Sequence, residues 1–366
     1  MEEKMSGLSR EMIIHPGETL KEVLEERNMS QLELALRTGV TPKHISTILS
    51  GERNISVNFA KKLEYALNID ADFWMNLQNQ YDKEIFDFDE LHSISQDETN
   101  IFKSMKEAFC FIVEKSFVPE IKQTEQNILE LRKYLNVSNL TCIPSLVSSG
   151  AFRAQTKLNC EPCILFAWQR ICESLAEKIE TENLSYEDQT ARLLKICPQI
   201  KALSVLPQEE FILKLQESFS SCGIAFVIAP SFKGAPVQGF IKTNQEGKTI
   251  ISLTFRQKRA DIFWFTLFHE IAHFINGDSK QKFIDFESVE NAKETKADLF
   301  AQNTLIDKAA YQSFIKANDF TLRSINSFSE SQNILPAILI GRLQKEKHLN
   351  WSDYSEQIRK YEGNAD

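Results

Sequence analysis

Between residues 12 and 80 the apolar positions recur at helical spacing in short runs, and regular turn signals interrupt them. Ser30 stands where an N-cap belongs for a helix over Gln31–Thr38, and Glu33 completes a capping box. Gly39 suits the left-handed end of that helix. Thr41 is placed to cap the next helix with Pro42 in its first turn, and Ser50-Gly51 ends it after Leu49. Ser56 opens another helix to about Leu67. From 82 to 98 (DKEIFDFDELHSISQDE), seven carboxylates and one lysine without periodicity predict a solvated linker. Long amphipathic patterns fill residues 100–205, for example Ile164–Ile179. Beyond about 206 a helix over Glu209–Ser220 precedes Cys222-Gly223 and the apolar run Ile224–Ala229. Two β-type segments, Val237–Thr243 and Thr249–Thr254, flank a turn at Asn244–Gly247, and helical patterns resume at Asp261. There is no internal repeat or low-complexity tract.

These patterns predict a multidomain, mainly α protein with an α+β C-terminal domain. Its expected parts are a head over 1–82, an acidic linker and helical middle region over 83–205, and a domain with a small sheet over 206–366. No apolar run approaches the ~18 residues of a membrane span, and the charged N-terminus does not resemble a secretory signal. Seven scattered cysteines fit reduced thiols, so a cytoplasmic protein is expected. A net charge of −9 excludes nucleic-acid binding through bulk positive charge. Locally, however, Arg27, Arg37, Lys43, Arg53, Lys61 and Lys62 outnumber Glu33 and Glu52. Any nucleic-acid site is therefore one small surface.

Two short helices joined by a glycine-containing turn have helix-turn-helix geometry, locked by Leu34, Ala35, Val40, Ile45, Ile48 and Leu49. The second helix of that motif presents its N-terminal side chains to base edges, which singles out Thr41, Lys43, His44, Ser46 and Thr47. Gln31, Arg53 and Asn54 are placed for phosphates. A small helical bundle with solvated charges is the competing reading. His15-Pro16-Gly17-Glu18, Ser30-Gln31, the Ser50-Gly51 turn and Phe73-Trp74 through Leu77-Gln78 are similar to the HigA antitoxin branch of the XRE-type DNA-binding family, over about residues 12–82. That resemblance implies five helices, a homodimer and a palindromic operator in double-stranded DNA. It does not imply that a partner toxin exists.

The sharpest chemical signal is His269-Glu270-Ile271-Ala272-His273, in a segment that Asp261 is placed to cap and Gly277 to end. Residues four apart share a helical face, so His269 and His273 can hold one metal ion, with Glu270 beside them as a base. Zinc is expected, because two imidazoles and a carboxylate leave a fourth position open. The competing reading is a buried amphipathic helix with two incidental imidazoles. The extended metzincin motif would need histidine at 279, where Ser279 stands, and glycine at 276, where Asn276 stands. A second helix over about Ser288–Thr304 offers Glu294 as third ligand and Asp298, one turn on, as acceptor for an imidazole N–H. This is a gluzincin-like arrangement.

With Ala297, Phe300 and Ala301 these residues resemble the ImmA/IrrE metallopeptidase family, which pairs HExxH with a downstream E-x-x-A-[ND]-x-F-A. Residues 137–166, with Gly150-Ala151-Phe152-Arg153, look like the helical region often found between a HigA-like head and this domain. Lys296 and Leu305-Ile306-Asp307 depart from the family pattern. The resemblance implies zinc-dependent cleavage of a regulatory protein, typically a repressor, so the expected protein partner is a substrate, a toxin or a repressor. Self-cleavage and cleavage of a partner are both open. Two rival readings remain: a repressor or antitoxin whose zinc-type domain only senses or binds, and a peptidase whose head recognises protein.

Weaker signals are Cys160 and Cys163 at dithiol spacing, without a completing pair, and His348 as a donor to a cleavage intermediate. Ser324–Leu343 reads as two helical segments broken near Asn333–Pro336, a bracing hairpin in preference to a second helix-turn-helix. The two β-type segments offer an edge to an extended peptide.

Overall fold

The computed structural model describes residues 10–148, 161–244, 247–277 and 287–362. The chain divides into two compact units, Met1–Gln96 with Gln123–Leu129, and Asp97–Lys122 with Glu130–Asp366. The sequence break at 205/206 falls inside the second unit.

The first unit holds α1 (Pro16–Glu26), α2 (Gln31–Thr38), α3 (Pro42–Leu49), α4 (Val57–Leu67) and α5 (Ala71–His92). The expected caps are in place. Ser30 Oγ accepts from Glu33 N–H, Thr41 Oγ1 from His44 N–H and Ser56 Oγ from Phe59 N–H, at 3.1, 3.2 and 3.3 Å. Gly39 closes α2 at φ 62°. Leu20, Leu34, Ile45, Ile48, Phe59, Leu63 and Trp74 form the buried core. His15 caps α1, its Nδ1 accepting from Gly17 N–H at 2.9 Å. A Cβ on Gly17 would stand 2.0 Å from the Ile48 carbonyl oxygen, so the start of α1 is pressed against the end of α3.

The segment expected as an irregular linker is instead helical, α5 running unbroken to His92 and a further helix starting at Gln96. Tyr81, Ile85, Phe88 and Leu91 recur at steps of four, three and three, a half-buried stripe that the density of carboxylates disguises. Gln78, buried in α5, accepts from Ile55 N–H and donates to Asp82, both at 2.8 Å.

After α5 come α6 (Gln96–Ser104), α7 (Lys106–Glu114), α8 (Thr124–Leu135), whose residues 124–129 belong to the first unit, and then, in the second unit, α9 (Ile143–Ser148), α10 (Pro162–Glu177), α11 (Tyr186–Ala202) and α12 (Gln208–Ser220). The strands β1 (Ile224–Ile228), β2 (Gly239–Thr243) and β3 (Thr249–Leu253) follow. Next come α13 (Ala260–Ile275), α14 (Glu287–Leu305), α15 (Lys308–Ala317), α16 (Leu322–Ser331) and α17 (Pro336–Lys345). The sheet has the order β1-β3-β2, with β1 parallel and β2 antiparallel to β3. Every residue of β1 and β3 is buried.

Successive residues of a strand face opposite ways, and β2 uses both faces. Phe240 meets Trp168 of α10 edge-on at 5.7 Å and Lys242 pairs with Glu173 of α10, whereas Gly239 lies against Thr266 and Glu270 of α13. The sheet is thus enclosed between α10 and α13. Tyr186 of α11 donates to the Phe274 carbonyl at the end of α13, and α14 and α17 also pack on α13. The segment 324–343 is the expected hairpin, α16 and α17, bracing the two-histidine helix.

Asp261 is not the cap of α13. The helix begins one residue earlier, with Arg259 at the cap position, and Arg259 clasps the Asp261 carboxylate at 3.0 and 2.9 Å. Gly277, at φ 77°, ends the segment as expected. Among the described residues no helix is long and apolar enough to cross a membrane.

A buried ion pair fixes the helices that open the second unit. Glu98, fully buried, receives Arg132 through Nε at 2.7 Å and Nη2 at 2.5 Å, and Leu140 N–H at 2.9 Å. Burial alone would raise this carboxyl's pKa, but the bonds from Arg132 and Leu140 outweigh it and hold it below the ordinary value. A depressed folded-state pKa stabilises above the unfolded value, about pH 4 for glutamate, and that stabilisation is lost as pH falls through the folded value. Glu98→Gln is expected to cost about 3–5 kcal/mol by stranding the guanidinium, and to flatten the acid limb of the stability profile in urea titrations. In the head, Gly17→Ala must displace backbone and is expected to cost about 1–3 kcal/mol. An unchanged thermal unfolding transition would contradict the close approach of α1 and α3.

Candidate metal centre and nucleic-acid interface

Helix α13 is buried on most of its circumference by Phe263, Trp264, Leu267, Phe268, Ile271 and Phe274. Thr266, His269, Glu270 and His273 form its partly exposed strip. Because α14 packs alongside, Glu294 and Asp298, one turn apart, reach this strip. The two Nε2 atoms of His269 and His273 are 3.0 Å apart. Glu294 places Oε2 3.2 Å from His269 Nε2 and Oε1 3.4 Å from His273 Nε2. Two tetrahedral zinc ligands at 2.0–2.1 Å from the ion would be roughly 3.3 Å apart. The donor set therefore fits a zinc ion both in kind and in spacing.

Asp298 Oδ1 lies 2.9 Å from His269 Nδ1. A carboxylate there accepts a hydrogen bond from Nδ1–H and so leaves the Nε2 lone pair as the ligand, which fixes both tautomer and ring orientation. Lys345 of α17 stands 3.9 Å from the other Asp298 oxygen and over the Phe265 ring at 4.5 Å. Hydrogen bonds from His269 and His273 hold the Glu294 carboxyl well below its ordinary range. Burial pulls the His269 pKa down, but the Glu294 bond and the Glu270 charge raise it above its usual value. Burial pushes the Glu270 carboxyl up, against the opposing effect of the two imidazoles.

Sequence reasoning missed what seats Glu270. A Cβ on Gly239 would lie 2.6 Å from Glu270 Oε1 and 2.7 Å from Thr266 Cγ2, so only glycine lets β2 start this close to α13. A lone glycine inside the strand pattern Val237–Thr243 was the available signal. The other weak candidates lie elsewhere. His348 stacks obliquely on Phe320 at 5.6 Å and sits 3.9 Å from Glu346, and among the described residues the group able to share a metal ion is His269, His273 and Glu294 without it. Cys163 is buried in the first turn of α10, and burial pushes its thiol up to about 11. Cys160 and Gly150-Ala151-Phe152-Arg153 lie outside the described residues.

In the head, Gln31, Thr41, Lys43, Ser46, Arg53 and Asn54 are exposed, and His44 and Thr47 are half-buried. They do not all stand free. Thr47 donates back to the His44 carbonyl at 3.0 Å, Asn54 donates to Asp82 at 3.3 Å, and Arg53 contacts His44. Asn54 thereby ties the loop after α3 to α5.

The helix-turn-helix family pattern matches residues 20–74. Virulence-associated protein A' of Dichelobacter nodosus is 39% identical over 69 residues, 19% of this chain and 60% of that protein. Virulence-associated protein I of the same organism is 35% identical over 78 residues, 21% of this chain and 72% of its own length. The uncharacterized HTH-type transcriptional regulator YddM of Escherichia coli K12 is 32% identical over 66 residues, 18% of this chain and 70% of its own. Two solved structures are also similar, each matched over 97% of its length. A putative antidote protein of a plasmid maintenance system from Nostoc punctiforme PCC 73102 shares 26% identity over 22% of this chain, with a TM-score of 0.20. An addiction module antidote protein of a HigA family from Coxiella burnetii shares 27% over 29%, with a TM-score of 0.19. Through its N-terminal helices the chain belongs to the XRE-type helix-turn-helix family.

Proposed function

We propose that this protein is a DNA-binding transcriptional regulator whose second unit is a zinc-dependent endopeptidase acting on a regulatory protein or on the chain itself. The DNA-binding part is supported by family membership together with the exposed first turn of α3. As a dimer the head would meet an inverted repeat with half-sites one helical turn, about 34–36 Å, apart. The peptidase part is carried by one observation, the convergence of His269, His273 and Glu294 with ligand atoms all within 4.8 Å.

His269, His273 and Glu294 would hold the ion, and Asp298 would orient His269. Bound there, zinc supplies Lewis-acid polarisation of the scissile carbonyl and activation of water. Glu270 takes the proton from the attacking water on its carboxylate, a role that its raised proton affinity suits, and can pass that proton to the leaving amine. Gly239 keeps Glu270 in place against β2. As an outer strand, β2 can align an extended substrate chain beside the strip.

Two outcomes test this reading. The purified full chain should bind a duplex enriched from a randomised pool, with an affinity that falls steeply with salt. Lys43→Ala plus Thr47→Ala should lower that affinity at least about tenfold; binding indifferent to both changes would remove the DNA-reading role of α3. Separately, metal analysis should find one zinc per chain, lost in His269→Ala plus His273→Ala and weakened about 10–100-fold in Asp298→Asn. Glu270→Gln should keep the metal and the DNA affinity but lose peptide cleavage and release of repression. If that variant still releases repression normally, the second unit is a sensor or partner-binding module.

A further inference from the structure

His44 is the third residue of α3, in the turn that a recognition helix presents to base edges. Its half-buried ring stands edge-on to Phe59, 5.1 Å away at 72°, and Arg53 Nη1 lies 2.6 Å from its Nδ1. A guanidinium carries five N–H donors and no acceptor. The bond therefore has one sense: Arg53 donates and the Nδ1 lone pair accepts. Burial, and after it the charges of Arg53 and Lys62, hold the ring's pKa below its ordinary value, which favours the neutral form that an Nδ1 acceptor requires. A neutral imidazole has a single N–H, and with Nδ1 occupied as an acceptor that proton sits on Nε2, at the far side of the ring.

We propose that Arg53 positions His44 as a fixed Nε2–H donor that reads the N7 acceptor of a purine in the major groove. This rests on the DNA-binding function proposed above. Purines offer N7 as an acceptor on the major-groove edge, and an imidazole locked in the other tautomer would present a lone pair to it and be repelled. Arg53 is on this account a positioning residue and more than a phosphate contact. Losing a phosphate contact weakens binding evenly across sequences, whereas losing the lock relaxes one base preference.

Two measurements on the full chain test the proposal. With ¹⁵N-labelled histidine, the ring-nitrogen shifts of His44 should report a protonated Nε2 and a bare Nδ1. Arg53→Met should give a tautomer mixture, and Arg53→Lys, which keeps a donor, should restore the lock. In the second measurement, 7-deazapurines, which lack the N7 acceptor, are placed one at a time in the duplex enriched from a randomised pool. One purine per half-site should then lose affinity about 3- to 10-fold. That penalty should vanish in His44→Ala, shrink in Arg53→Met and return in Arg53→Lys, while salt-dependent non-specific binding persists as the control for folding. A protonated Nδ1 in the unaltered chain, or the absence of any purine whose penalty depends on residue 44, overturns the proposal and leaves the DNA-binding function standing. Failure of the full chain to enrich any sequence would remove both.

Discussion

A helix enclosed on most sides by aromatic side chains can show solvent only a narrow strip, and the convergence of imidazoles and carboxylates in the second unit depends on that constraint. The sheet, α14 and α17 all pack on α13, so its apolar residues face Phe211, Tyr361 and the buried strands. Helical periodicity then places residues 266, 269, 270 and 273 in the remaining sector. Two imidazoles four residues apart in a rigid, buried helix have little freedom to separate. Their Nε2 atoms stand 3.0 Å apart.

The carboxylates that answer this strip come from a helix of different character. Glu294 and Asp298 have partly exposed side chains, at 56% and 40%, so their placement depends on the packing of α14 and not on burial of the groups themselves. Ala297, between them in sequence, and Ala301, three residues after Asp298, are fully buried and explain how α14 can come so close. Small residues on the contact face bring the acidic residues beside them within reach of the histidines.

Much of this was legible in the sequence wherever one residue type carries one local job. Ser30, Thr41 and Ser56 announced the helix starts because their hydroxyls have few other ways to satisfy the first-turn amides. The pairing of His269 with His273 was legible because helical spacing is a strong geometric rule, whereas Glu294, on another helix, was singled out only by way of that upstream motif and the resemblance of its segment to E-x-x-A-[ND]-x-F-A. The extent of α5 was not, because its apolar stripe is diluted by carboxylates that favour a solvated segment as readily as a solvated helix face. The cap of α13 was misassigned for a related reason: Asp261 has the chemistry of a cap, but Arg259 claims its carboxylate. Two pairings were beyond sequence reasoning altogether. Gly239 with Glu270 and Arg53 with His44 join residues whose adjacency only tertiary packing creates.

The position of β2 in its sheet has one more consequence. Among the described residues it pairs on a single side, so a row of backbone donors and acceptors borders the histidine strip. Such a border would accept any extended chain, the same strand of another molecule included, and self-association along it is a standing hazard. Five residues of length and the charged Lys242 held by Glu173 limit that hazard. A change that lengthened the strand or neutralised the lysine would then be felt first as aggregation, before any effect on chemistry.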